Sequence, residues 1–202
     1  MTKQSVSLWF DTLCPWAWMT SRWLCEVSAV RNVDITWNVM SLYFLNKDRP
    51  TISAEYLDNA KKALGPLRII SQAEKIYGPK IKGELYTAFG EEIHLNKMKF
   101  SEELNVKAIA KTELPSDFIK YAQDESLDSV ILESHNAGIS KVGEDVGTPI
   151  ISVDEVAFFG PVISPAPKGE EAGKLFDAVV GVASYSGFFE MKRTRTVKPI
   201  FN

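Results

Sequence analysis

The stretch that most constrains this chain is residues 5 to 42, in which two strand patterns enclose one helical pattern with very little loop between them. Residues 5–10, SVSLWF, alternate polar and apolar positions and end aromatic, as a half-buried strand does. Asp11 and Thr12 then supply turn chemistry. From Pro15 to about Arg31 the apolar residues Trp16, Met19, Trp23 and Val27 recur at helical spacing. Pro15 suits the first helical position, where a missing N–H costs nothing. Residues 33–42, VDITWNVMSL, predict a second strand with Val33, Ile35, Trp37 and Val39 on one face. A helical crossover of this length joins parallel strands, so the segment predicts a βαβ unit.

The next ninety or so residues change texture. SAEYLDNAKKALGPLRIISQAEKIYG, KGELYTAFGEEIH, SEELNVKAIAKTEL and PSDFIKYAQDESLDSVILESHNAG carry helical spacing and polar faces. Breakers separate them: Gly65-Pro66, Gly78-Pro79, Pro115 and Gly138. Serines 53, 101, 116 and 126 are candidate helix caps. Strand character returns at TPIISVD, residues 148–154, and a hairpin through Asp154-Glu155 leads into EVAFFGPV. Residues 169–184 predict a closing amphipathic helix. The order β-α-β, inserted helices, β-β-α predicts an α/β protein with a thioredoxin-like fold, residues 1–45 and 140–202, interrupted by an all-helical subdomain, residues 46–139.

Composition narrows the partners. A formal net charge of −3 offers no bulk attraction to nucleic acid or anionic lipid, and the one compact basic cluster is Lys192, Arg193 and Arg195. No apolar run reaches the roughly 18 residues of a membrane span, and the N-terminus lacks a signal-peptide pattern, so a cytoplasmic protein is expected. Two histidines and two distant cysteines provide no zinc-ligand spacing, and no metal or bound cofactor is expected. There is neither a phosphate-binding loop nor a G-x-S-x-G elbow.

The two cysteines are Cys14 and Cys25. Along a helix starting at Pro15 they stand about three turns apart, roughly 15 Å, beyond the ~7 Å Cα separation of a disulfide. Cys25 is expected as a small buried hydrophobe. Cys14 stands at the helix mouth, where unpaired N–H donors and the helix dipole favour a thiolate. We therefore expect a nucleophile with a pKa at least about one unit below the free value of ~8.5. Asp11 is expected to end the strand and cap the turn, with a secondary influence on the thiol. Trp16 and Trp18 flank the site; a flat substrate suits an indole there, and core packing is the favoured role of Trp18. His135 is expected on a helix surface.

With these residues in view, the chain resembles the DsbA-like thioredoxin family, in its FrnE-like branch, and especially the actinobacterial mycothiol-dependent reductases and nitroreductases. The resemblance spans WFDTLCPWAW, the helical insertion, VGEDVGTPIISVDEVAFFGPV and GEEAGKLFDA…FFEMKRTRT. It implies a cytoplasmic thiol-disulfide oxidoreductase with mycothiol as co-substrate, a small-molecule or disulfide substrate, and a mycoredoxin-type reductase as partner. The family tetrapeptide is Cys-Pro-Trp-Cys, so the resemblance makes Cys14 the nucleophile, followed by Pro15 and Trp16, and puts Ala17 in the resolving cysteine's place. It assigns a cis-proline segment to Thr148 and Pro149, with Thr148 meeting the nucleophile and offering backbone hydrogen bonds to a bound thiol. It also sets Asn46, Tyr56 and His94 toward the substrate. A dithiol reductase releases itself when its second thiolate attacks the mixed disulfide, a step this chain lacks. Alanine removes a thiol with least disturbance, and we read position 17 as an engineered cysteine-to-alanine change in preference to a natural monothiol protein. The competing reading is a kappa-type glutathione transferase or isomerase, which shares the architecture and needs one polar group to activate a bound thiol. A serine would be normal there at position 14. A third reading, a redox-inactive binding module, requires an unreactive Cys14.

Overall fold

The computed structural model describes residues 3–202. Strand β1 (Gln4–Phe10) leads through a short corner into helix α1 (Pro15–Val30), which returns to strand β2 (Val33–Val39). Between β2 and the next strand stand α2 (Leu42–Asn46), α3 (Ala54–Lys62), α4 (Leu64–Tyr77), α5 (Lys80–Gly90), α6 (Glu102–Ala110) and α7 (Asp128–Val142). A π-helical turn, Glu91–Leu95, extends α5, and two 3-10 segments, Ser116–Gln123 and Glu125–Leu127, precede α7. Strands β3 (Ile150–Val153) and β4 (Val156–Phe159) form a hairpin, and α8 (Gly169–Ala183) follows.

The sheet order is β2-β1-β3-β4. β2 runs parallel to β1, while β3 is antiparallel to β1 and β4 to β3. This mixed sheet with its helical insertion is the DsbA-like arrangement of the thioredoxin fold. Period-two alternation divides β1: Val6, Leu8 and Phe10 join the main core, while Trp9 points to the other face with Met40, Ile139 and Ile150. On the first face α1 lies against α8, where Trp23 Nε1 donates to the Ala172 carbonyl at 3.0 Å and its ring tilts onto Phe176.

Two corrections to the sequence reading lie on the second face. Gly138 does not break the chain: it sits inside α7, and a Cβ there would come within 2.8 Å of the Trp9 ring. Its hydrogen side chain is what lets α7 lie close over the sheet. His135, one turn earlier, is buried and not on the surface, and its Nδ1 accepts from the Ser41 N–H at 3.3 Å. The helical stretch read over 115–138 consists of the two 3-10 segments and most of α7, and Gly65-Pro66 falls in the first turn of α4, where proline is tolerated. Ser53 and Ser101 do cap α3 and α6, whereas Ser116 and Ser126 cap nothing; Asp124 accepts from the Ser126 N–H.

The helical layer meets the sheet through stacked aromatics. Tyr86 of α5 lies on Phe10 with ring centroids 3.8 Å apart and interplanar angle 20°, and it also touches Trp18 and Trp37. Two glycines one heptad apart make this approach: a Cβ on Gly83 would meet Trp37 at 2.7 Å, and one on Gly90 would meet Trp18 at 2.1 Å. The side of the site facing away from the sheet is therefore set by how closely α5 approaches two indoles.

Candidate active site

Cys14 is the N-cap of α1, in extended backbone conformation, and Pro15 opens the helix behind it. Its Sγ accepts from the Ala17 N–H at 3.4 Å and donates to the Thr148 carbonyl at 3.3 Å. The Thr148 hydroxyl in turn donates to the Trp9 carbonyl at 2.6 Å, which locks the β1 and β3 sides of the corner together. The Thr148-Pro149 peptide is cis. Sulfur, helix mouth and the loop before β3 thus converge, although 134 residues separate Cys14 from Thr148.

The electrostatics correct the sequence expectation. Cys14 is only 7 % exposed. Burial pushes its thiol up to about 11, against the Ala17 and Trp16 N–H groups and the Arg195 charge, which pull down. The helix-mouth donors are present, but desolvation of the thiolate outweighs them. In this conformation the sulfur is a protonated donor to Thr148.

Asp11 lies three residues before Cys14 and is fully buried. Its carboxylate accepts from the Leu13 N–H at 2.8 Å and the Leu42 N–H at 2.6 Å, so it caps the corner and ties β1 to α2. Burial nevertheless raises it to about 7, despite both donors. Its charge also raises the Cys14 thiol. The sequence marked Asp11 as a turn residue; that it is sealed beneath the thiol is visible only once α2 covers it.

The remaining predicted residues divide. Trp16 is half-buried with the Arg195 guanidinium carbon 5.3 Å from its ring centroid, and Trp18 is a core residue. Tyr56, on α3, has its phenol pushed up to about 12, first by burial and then by the nearness of Asp11 and Cys14. His94 is buried in the π-helical turn between the rings of Trp18 and Phe201, at 5.7 and 5.6 Å, and bonds the Thr12 backbone. Burial lowers it to about 4, so it is neutral near pH 7. Asn46, the last residue of α2, is buried and donates from Nδ2 to the Leu42 carbonyl at 2.8 Å. Position 17 is fully buried one turn along α1 from Cys14. Cys25 is exposed, contrary to expectation, because it faces outward on α1 between buried Leu24 and Val27.

Sequence reading passed over Phe201 and Arg195 as site residues, and Tyr86, whose buried hydroxyl is raised by burial first and by Cys14 second. Aromatic residues near a chain end carry no signal of what they fold back upon. Among the described residues no cluster of three or more His, Cys, Asp or Glu side chains could hold a metal, and no helix is long and apolar enough to cross a membrane.

A buried N-cap cysteine facing a residue before proline is the geometry that comparison with known proteins can decide. Residues 13–193 match the family described as Rv2466c-like, mycothiol-dependent nitroreductase Rv2466c. The chain belongs to this family. Membership puts it among oxidoreductases that work with a low-molecular-weight thiol. Solved structures agree on the fold. The probable DsbA oxidoreductase SCO1869 of Streptomyces coelicolor superposes with a TM-score of 0.58 at 13% identity, covering 96% of this chain and 94% of that one. The cytosolic disulfide reductase DsbM of Pseudomonas aeruginosa, solved with GSH, gives 0.58 at 12%, covering 88% and 99%. A 2-hydroxychromene-2-carboxylate isomerase gives 0.61 at 12%, covering 88% and 94%. At these identities the likenesses show the fold alone.

Proposed function

We propose that this protein is a mycothiol-dependent thiol-disulfide oxidoreductase with Cys14 as nucleophile and position 17 as the resolving site, here held by alanine. The observation that carries the reading is the sulfur at the N-cap of α1, within 3.4 Å of the Ala17 N–H and 3.3 Å of the Thr148 carbonyl, in a member of this family. An isomerase that only activates a bound thiol needs a polar group at the helix mouth, and has no use for a nucleophilic thiol of its own at position 14. A binding module has no use for donors aimed at a sulfur.

In the proposed step the Cys14 thiolate attacks one sulfur of an oxidised low-molecular-weight thiol. A mixed disulfide forms at Cys14, the other half leaves as a thiolate, and the proton lost by Cys14 balances the one the leaving group takes up. Trp16, Tyr56, His94, Thr148 and Pro149 surround the incoming molecule, with Asn46 stiffening α2 behind Asp11. A full dithiol protein would then close a disulfide between positions 14 and 17 and release the second half. With Ala17 the adduct persists until another thiol, or a mycoredoxin-type reductase, removes it. We read Ala17 as an engineered replacement. Such exchange suits a reducing cytoplasm, where cysteines stay free.

Incubation with mycothiol disulfide followed by intact mass measurement tests the reading. One stable adduct on Cys14 is expected, absent in Cys14→Ser. In Ala17→Cys the same treatment ends mainly in an internal disulfide. No adduct on Cys14 overturns the nucleophile assignment, and equal reductase turnover of the Ala17 and Ala17→Cys proteins without added thiol overturns the role of position 17.

A further inference from the structure

After α8 the chain is exposed through residues 186–198 and then returns to the body of the molecule. It returns along the loop that follows β4. The Ser164 hydroxyl donates to the Lys198 carbonyl at 3.4 Å and accepts from the Ile200 N–H at 2.7 Å, and Asn202 Nδ2 donates to the Ala166 carbonyl at 3.1 Å. That loop is itself fastened to α1, where Thr20 Oγ1 donates to the Pro161 carbonyl at 2.7 Å. The returning segment therefore comes back beside α1, the helix that begins at the thiol.

Two of its side chains lie on site residues. Arg195 covers the face of Trp16, the residue two after Cys14. The Phe201 ring lies against His94, whose own other face meets Trp18. His94 Nε2 is buried and has no hydrogen-bond partner. A buried acceptor left without a donor is an arrangement proteins avoid, and the Phe201 ring packed on this imidazole offers none. A ligand hydroxyl or amide N–H in the place of Phe201 would satisfy it. Meanwhile Cys14 is sealed to 7 % exposure, although its proposed chemistry requires an incoming sulfur in line with it.

We infer that residues 195–202 form a movable strap over the thiol site, and that Arg195 and Phe201 select which thiols and disulfides reach Cys14. The inference rests on Cys14 being the nucleophile. The strap is held by three hydrogen bonds, by the half-buried Phe201 ring packed on His94 and the main core, and by one exposed guanidinium–indole contact, without regular secondary structure, few enough to exchange between closed and lifted forms. Lifting uncovers the Trp16 face and the His94 ring, the two neighbours of the sulfur that the segment touches. It also admits water to Cys14, which relieves the desolvation that keeps the thiol protonated while leaving the Ala17 donor in place. The selected molecule is a thiol or disulfide that bears a hydrogen-bond donor for His94. Arg195 favours reagents with negative charge.

The test is the rate of Cys14 labelling, followed by peptide mass in a Cys25→Ser background. Four proteins are compared: the full chain, a chain ending at residue 194, Phe201→Ala and Arg195→Gln. A strap lifted about a tenth of the time holds the full chain about tenfold below the shortened one. Phe201→Ala is expected between them, and the gap widens from iodoacetamide to mycothiol disulfide. In Arg195→Gln the ratio of iodoacetate to iodoacetamide labelling falls. Equal or slower labelling of Cys14 in Phe201→Ala and in the shortened chain overturns the strap while leaving the nucleophile intact. Should the shortened chain lose its fold by circular dichroism, Phe201→Ala decides alone. An unchanged reagent ratio in Arg195→Gln removes Arg195 from the selection. Failure of Cys14 to label in any of the four, while Cys25 labels in the parent protein, overturns the nucleophile reading and the strap with it.

Discussion

The two sides of the thiol site are built differently. On the sheet side, Asp11, Cys14 and Thr148 are fixed by hydrogen bonds to or from backbone groups of β1, α1, α2 and the loop before β3. On the helical side, Trp18, Tyr86, His94 and Phe201 are held by ring packing, and His94 Nε2 is buried without a partner. Hydrogen bonds are directional and fix a geometry, whereas ring contacts tolerate sliding at small cost. The nucleophile thus has one permitted place, and the substrate side has room to rearrange around it.

The largest expected effect is on the sheet side and is all-or-none: Cys14→Ser abolishes the mycothiol adduct, while removal of Phe201 leaves adduct formation intact and speeds it. An adduct surviving Cys14→Ser, read by intact mass, would break the contrast at its root.

Next comes pH, where the two sides oppose one another. Asp11 has its folded pKa raised from 3.8 to about 7. Its stabilisation is full below pH 3.8 and lost as pH rises through about 7, about 4 kcal/mol at ~1.4 per unit. His94 has its folded pKa lowered from 6.5 to about 4. Its contribution is present above 6.5 and lost as pH falls through about 4, about 3 kcal/mol in the opposite sense. His135, also lowered by burial, adds to the His94 direction. Urea unfolding of the parent protein should therefore vary little between pH 4 and 6.5. Asp11→Asn should then gain stability as pH rises over that window, and His94→Gln should lose it. Parallel profiles for the two variants would show that neither group is buried as described.

Packing gives the third effect. Gly90→Ala drives a methyl into the Trp18 ring and should cost about 1–3 kcal/mol in urea unfolding, by overpacking. It should also disturb His94 and so the rate of Cys14 labelling. Unchanged stability would mean that α5 can retreat, making the helical side looser still.

The labelling profile sharpens the contrast further. With the thiol pushed up to about 11, the pH midpoint of Cys14 alkylation in the full chain should lie above the free value of ~8.5 and move down in Phe201→Ala. A midpoint below 8.5 in the full chain would restore the helix-mouth donors as the dominant influence. The smallest effect is expected from Ser53→Ala, which removes the cap of α3 and should cost about 1 kcal/mol. The Cys14 adduct should be unaffected.

How much of this was legible beforehand follows the same division. The corner from β1 into α1 is written in local chemistry: alternation that stops at Phe10, a turn residue, a proline at the first helical position. The hairpin over Asp154-Glu155 and the closing helix were legible for the same reason, since each is a local pattern with its own stop signals. Residues whose role depends on what lies above them were not. Cys25 and His135 exchanged expected places because one helical position faces outward and the other faces α2, and spacing alone does not say which neighbour covers which face. Gly138 read as a breaker because a glycine's allowance for an approaching indole leaves no trace in its own neighbourhood.

The sequence by itself determined where a thiol would stand and which donors would greet it, because an N-cap is a property of a few consecutive residues. Only the tertiary structure decided what that thiol experiences. Burial in the folded corner reverses the sign of the shift that the helix mouth alone would produce, since desolvation is a sum over everything that displaces water and no local segment carries it.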